Sequence, residues 1–414
     1  HELIELMDSA IFSLEEIGVS AAKQKLGFTT ENVIDLLREI GNESCERGQE
    51  FLGYLDISEG YQNEGSERLQ AVISALGSIN SAIIEVLPDL TIKEWQKRGE
   101  RNMTPEEYES TSLLISFEET ITNIPHEESD MLIALAKSAS LLESFAKTAL
   151  QNGWKERTRI AAQSIMSLNN GARAKDYDTI SYPVNLIEIT TTAIANIVTS
   201  SDSTASYYLT KHEVLFWLEC ITKELARKKS GGVSYAVNAL ISIYDFIFKS
   251  YCSGGPVTMT LEAPSVLGEI AGITVANGKL HNTTEKIADA LKNIGITACK
   301  SFTGGTHNEE WEDISKDSVK CLILSGTISI QCDNEEFAIK LAEKLREMEK
   351  EYNENGFESF IDRIFEENEC EKTFGFKETF IDGGSPKSKE RKMTNDEFKA
   401  FKQFKKHYKE DVTI

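Results

Sequence analysis

Long apolar runs, proline and paired cysteines are what this chain has least of, and each shortage closes off a class of protein. The longest apolar stretches, Ala193 to Val198 and Ala239 to Phe248, are interrupted by Asn196, Ser242 and Asp245. They fall well short of the ~20 residues that cross a bilayer as a helix. Only seven prolines occur in 414 residues, and each can sit at an element boundary, so most of the chain lacks the residue that breaks helices. The seven cysteines are odd in number and widely spaced, with no Cys-x-x-Cys or paired Cys/His spacing. That pattern supports neither a disulfide framework nor a zinc site and points to a reducing compartment.

Positive charge is the other shortage. Lys and Arg number 44 against 67 Asp and Glu, a net charge of -23, and such a surface repels a phosphate backbone and argues against general nucleic-acid binding. The balance reverses only from Ser385 to Ile414, where nine Lys/Arg face five Asp/Glu. A hydrophobic content of 40% with 27% charged residues is that of an ordered, soluble protein long enough for two or three domains or one extended array. The first residue is His rather than Met, and Glu2 to Ile17 already carries helical spacing. This reads as a segment of something longer, with His1 a tag remnant.

What the chain does have is repetition. Ser13 to Cys45 aligns with Val266 to Cys299, with one residue inserted, through Leu14/Leu267, Leu26/Leu280, Thr29-Thr30-Glu31/Thr283-Thr284-Glu285, Leu37/Leu291, Ile40-Gly41/Ile294-Gly295 and Cys45/Cys299. In the first 250 residues, apolar triplets at i, i+3 and i+6 return as Ile11-Leu14-Ile17, Ile34-Leu37-Ile40, Ile73-Leu76-Ile79, Leu215-Leu218-Ile221 and Val237-Leu240-Ile243. This spacing places each triplet on one helical stripe, and a period of about 23 residues fits one helix and one short loop. The pattern predicts roughly 14 to 18 helices that bury Leu14, Ile17, Ile34, Leu37, Ile40, Ile73, Leu76, Ile79, Leu218, Ile221, Leu240, Ile243, Leu291 and Ile294.

Punctuation agrees with that period. Thr29-Thr30-Glu31 and Thr283-Thr284-Glu285 read as helix starts with a hydroxyl capping exposed N–H groups, and Thr104-Pro105-Glu106-Glu107 reads as a stronger one. The glycine pairs 231-232, 254-255, 304-305 and 383-384 read as turns. Asp56 to Ser66 reads as a polar loop, and Ser301 to Asp317 as an acidic linker at a soft boundary. Cys321 to Cys332 has strand-like composition but no neighbouring strand pattern, so a buried helix is expected. Glu335 to Tyr352 and Phe357 to Glu369 read as acidic amphipathic helices.

A search for chemistry returns little. Gly272 to Leu280 has five residues between its glycines and Leu280 after Lys279, which departs from a phosphate loop on both counts. His307 to Asp313 could gather cation ligands but reads as a solvated acidic loop, and His126-Glu127-Glu128 as a helix start. No Gly-x-Ser-x-Gly occurs. Cys45 and Cys299 continue an apolar stripe and read as packing residues, as do the aromatics Tyr207, Tyr208, Phe216, Trp217, Tyr244, Phe246 and Phe248. No catalytic, cofactor-binding or metal-binding residue is therefore assigned, and no cofactor is expected. In the tail, Phe398, Phe401, Phe404 and Tyr408 share one helical face flanked by lysines. That face is expected to dock on the acidic body of the chain, with an anionic membrane surface as the alternative.

The phrase Ser-Leu-x-Glu-Ile-Gly-x-x-Ala-Ala-x-x-x-Leu, Ser13 to Leu26 here, resembles short-period HEAT-like helical repeats of archaeal and bacterial proteins with a membrane-embedded N-terminal part. The resemblance implies a HEAT-like α-solenoid, part of a larger membrane-associated protein. The expected organisation is an all-α, helical-repeat solenoid over 1–300, an acidic helical subdomain over 301–384 and a basic amphipathic tail over 385–414. The expected function is a non-catalytic protein-interaction or regulatory scaffold, not an enzyme, in the cytoplasm or at the cytoplasmic face of a membrane. Its partner would be a protein or a neighbouring domain of its own chain, and the alternative is a helical enzyme or small-molecule or metal sensor with a site between repeats.

Overall fold

The computed structural model describes residues 2–52, 59–87, 126–175, 185–200, 214–252, 258–278, 280–303, 309–354, 360–371, 378–382, 385–389 and 393–410. These residues form fourteen helices and one two-stranded hairpin, an all-α fold of helical repeats. The chain divides into two compact units, 1–221 with 230–240, and 222–229 with 241–414. Residue 300 lies within the helix His281–Thr303.

In the first unit, α1 (Glu2–Lys23), α2 (Gly27–Leu52), α3 (Glu59–Val86), α4 (His126–Gln151), α5 (Lys155–Ala174) and α6 (Leu186–Thr199) follow in order. Alternate helices lie side by side and parallel. Arg68 of α3 reaches Asp8 of α1 at 3.7 Å, and further along the pair a β-carbon on Gly18 would meet Ile79 at 2.5 Å. Similarly, Gly27 and Gly41 of α2 lie against Asp130 and Phe145 of α4. Arg157 of α5 donates to Ser66 of α3 at 3.0 Å, and Gly171 lies against Ile84. So α1, α3 and α5 make one layer and α2 and α4 the other, with the apolar triplets buried between them.

The second unit repeats this order. The helices α7 (Leu215–Arg227) and α8 (Val233–Cys252) straddle the division, and α9 (Thr258–Ala276), α10 (His281–Thr303), α11 (Glu309–Gln331), α12 (Glu335–Glu354) and α13 (Phe360–Glu371) follow. Then come β1 (Glu378–Asp382), β2 (Ser385–Lys389) and α14 (Asn395–Glu410). Gly268 and Gly272 of α9 lie against Cys321 and Ile328 of α11. His281 of α10 meets Asn334, at the start of α12, at 3.1 Å, and Lys300 near the end of α10 meets Glu351 at 2.7 Å. The correspondence runs one helix past the segment aligned from sequence, because Gly77-Ser78-Ile79 of α3 matches Gly326-Thr327-Ile328 of α11. Gly77 faces Ser164 of α5, and Gly326 faces Phe404 of α14. The basic terminal helix therefore fills the place that α5 holds in the first unit.

Local chemistry accounts for where the helices stop. Lys25, Lys229 and Asp333 take φ of 58°, 59° and 56°, and Gly153 and Gly278 take 73° and 70°, each just beyond a helix end, where a left-handed residue closes the last turn. Thr394 and Glu397 cap α14 reciprocally, with backbone N–H bonds of 2.6 and 3.2 Å. Thr30 and Thr284 act otherwise than expected. Their helices begin earlier, and their hydroxyls donate back to the carbonyls of Leu26 and Leu280 at 2.9 and 3.0 Å.

Other expectations change as well. Ile17 is half exposed and Leu14 and Ile40 are half-buried, while the remaining expected core residues are buried. Residues 59 to 66 are helical rather than loop, and helices α10 and α11 run into both ends of the expected 301–317 linker. Pro264 lies inside α9, not at a boundary. Cys321 to Gln331 is helix, as expected, whereas Ser385–Lys389 pairs antiparallel with Glu378–Asp382 instead of opening a helical tail. Gly65–Val86 is long and apolar enough by composition to cross a membrane, although Leu69, Ile73, Leu76 and Ile79 within it are fully buried in the stack. Thr104–Glu107, Tyr207 and Tyr208, and the glycine pairs 254-255, 304-305 and 383-384 lie outside the described residues.

Candidate interaction surface

The groups with chemical potential are tied into packing. Cys45 and Cys299 are buried, and burial, aided by Glu46 and Glu351 respectively, pushes their thiols up to about 11 and about 12. At neutral pH neither is a nucleophile. Gly272 is in a helix against Ile328, and Gly278 closes that helix. The acids Glu309, Glu310 and Glu312 form the first turn of α11, and His126 opens α4. Tyr244 and Phe248 are buried, with Phe248 edge-on to Trp311 at 5.6 Å. Among the described residues, no group of three or more His, Cys, Asp or Glu side chains is placed to hold a metal.

Charges recur where parallel helices meet. Asp35 pairs with Lys137 of α4 at 2.5 Å, and its counterpart Asp289 pairs with Lys344 of α12 at 2.5 Å. Each acid also holds a cation three residues on, Arg38 at 3.1 Å and Lys292 at 3.6 Å. Burial works against the Lys137 ammonium, but its bonds to Asp35 and Glu31 prevail and hold its pKa above the usual lysine value. The bond to Glu347, which outweighs burial, does the same for Lys292. These pairs fix the register between neighbouring helices and are structural.

The tail helix is docked. Phe401, Phe404 and Tyr408 are buried, the Phe365 ring lies 5.8 Å from Phe401 and 5.2 Å from Tyr408, and the Tyr408 hydroxyl donates to Glu349. Arg346 donates to the carbonyls of His407 and Tyr408 at 2.7 and 3.1 Å, where a cation meets the negative end of α14.

The two copies of the repeat differ in what covers α1 and its counterpart α9. Glu269 of α9 receives Lys223 of α7 at 2.6 Å, with Arg227 at 3.9 Å, and Ile270 beside it is fully buried. The equivalent Glu16 is exposed, and Ile17 is 50% exposed. Leu36 is 47% exposed where its counterpart Ala290 is buried. At two positions exposed in both copies, the first has Phe12 and Phe28 where the second has Ser265 and Asn282. Of the eight large apolar residues exposed among the described ones, five (Phe12, Ile17, Leu26, Phe28 and Leu36) belong to α1, α2 and the turn between them. Sequence reasoning missed this face because the triplet rule placed Ile17 in the core. The signal was available in the alignment, as Phe against Ser or Asn.

No known protein family matches the chain, and no curated protein matches it. Among solved structures, one similar chain is a "Circular tandem repeat protein with novel repeat topology and enhanced subunit contact surfaces". It is 12% identical over 98% of this chain and 99% of that one, with a TM-score of 0.22. A likeness at that score carries no argument about this chain.

Proposed function

We propose that the chain is a non-catalytic scaffold that binds another protein through the exposed face of its α1–α2 hairpin. The observation that carries this reading is the gathering of five exposed large apolar side chains on one hairpin, Phe28 at 72% and Phe12 at 62% exposure. Exposed apolar residues scattered singly mean nothing, whereas a gathering of them marks an interaction surface. Helical repeats favour such a role because they present extended faces without any catalytic constellation. The HEAT-like phrase Ser13 to Leu26 supports placing this scaffold outside the bilayer, as the cytoplasmic part of a membrane-associated protein.

The test is a photo-crosslinking amino acid placed at Phe12 or Phe28 and, as controls, at the exposed Phe216 and Ile339. A discrete protein adduct from the first two positions and none from the controls is expected. Equal labelling from all four, or a metabolite or metal that raises the melting temperature specifically, overturns the scaffold reading.

A further inference from the structure

The second copy of the repeat contains its own example of what covers this face. Over α9 lies the C-terminal half of α7, whose Lys223 and Arg227 stand four residues apart, so both project from one side of the helix toward Glu269. Between them Leu225 and Ala226 are buried, and the Ala226 carbonyl accepts a hydrogen bond from the Asn277 side chain. The recipient face consists of one carboxylate, Glu269, followed directly by Ile270. In the first copy the same two residue types stand at the same positions, Glu16 and Ile17, both exposed. Glu16 therefore stands open where its counterpart Glu269 is paired with two cations.

We propose that the α1 face around Glu16 and Ile17 docks an amphipathic α-helix of a partner protein that carries a Lys/Arg pair at i and i+4 beside apolar residues. This deepens the scaffold reading and rests on it. Charge complementarity selects the partner, because Glu16, the counterpart of the carboxylate that receives Lys223 and Arg227, accepts a cationic helix and repels an acidic one. A second copy of this chain presenting the same face would set acid against acid.

The probe is a labelled 16-residue peptide of Val214–Lys229, with Cys220→Ser and a staple to hold it helical, since a free helix of that length is marginal. It is titrated against the full chain by fluorescence anisotropy. Saturable binding is expected, weakened about fivefold by Glu16→Lys and about tenfold or more by Ile17→Asp. A peptide carrying Lys223→Glu and Arg227→Glu should regain affinity for the Glu16→Lys chain. Both substitutions are at exposed positions and leave the fold intact, which circular dichroism verifies.

No binding, or binding that neither substitution changes, overturns the proposal. So does sedimentation showing that the chain self-associates through this face and that Ile17→Asp dissolves the oligomer, because the occupant is then a second copy. If the crosslinker at Phe12 captures a protein while the peptide fails, the scaffold survives and the helical, basic class of partner falls.

Discussion

Set side by side, the α1–α2 and α9–α10 hairpins are the same object in two surroundings. Both bury a leucine at the same position, Leu37 and Leu291, both place a glycine against the following parallel helix, and both hold an aspartate to a lysine from that helix. They differ on the opposite side, where Glu269 and Ile270 are covered and Glu16 and Ile17 are open. The repeat sequence thus specifies a hairpin and its forward interface, whereas the state of the backward face depends on which helix lies there.

The strongest way to break this equivalence is to empty the shared core position. Leu37→Ala and Leu291→Ala should each cost about 2–5 kcal/mol, the range for buried leucine, read as a lowered urea midpoint of the unit that holds the substitution. A cost below about 1 kcal/mol for either would mean that the two cores are not packed alike. A smaller effect sharpens the comparison. Gly41→Ala pushes a methyl group into the buried Phe145 ring, while Gly295→Ala meets the terminal methyl of Met348. A rigid ring yields less than a flexible thioether, so Gly41→Ala should cost about 1–3 kcal/mol and Gly295→Ala less, despite the helix propensity that alanine adds in both. Equal costs would contradict the packing described.

The smallest effect concerns charge. Lys137→Met and Lys344→Met should each cost about 0.5–1 kcal/mol, as partly exposed pairs do. The Lys137 pKa is raised above its ordinary 10.5, so its contribution is fully present below that value and is lost as pH rises through the folded value. Stability measured from pH 9 upward should therefore fall less steeply in Lys137→Met than in the parent chain. An unchanged slope would show that the pair does not stabilise the fold.

Much of this was legible beforehand, for identifiable reasons. The triplets Ile34-Leu37-Ile40 and Ile73-Leu76-Ile79 announce helices because their spacing matches the helical turn, and the alignment of Thr29–Gly41 with Thr283–Gly295 announces a repeat. The third helix escaped notice because Gly77-Ser78-Ile79 and Gly326-Thr327-Ile328 are a match of only three residues, too short to stand out before the helices are placed. The exposed face was misread for the opposite reason: a stripe rule describes a helix with neighbours on its apolar side, and Ile17 fits the rule without having the neighbour.

The placement of α14 has a kinetic consequence. Neighbouring hairpins such as α9–α10 close short loops and assemble from local contacts, which form quickly. Phe404 meets Gly326 only after α12, α13 and the β1–β2 hairpin have been threaded past, a contact of long sequence separation whose closure entropy must be met before it is rewarded. The second unit is therefore complete only when the chain's far end is in place, since it is α14 that covers the Gly326 side of α11.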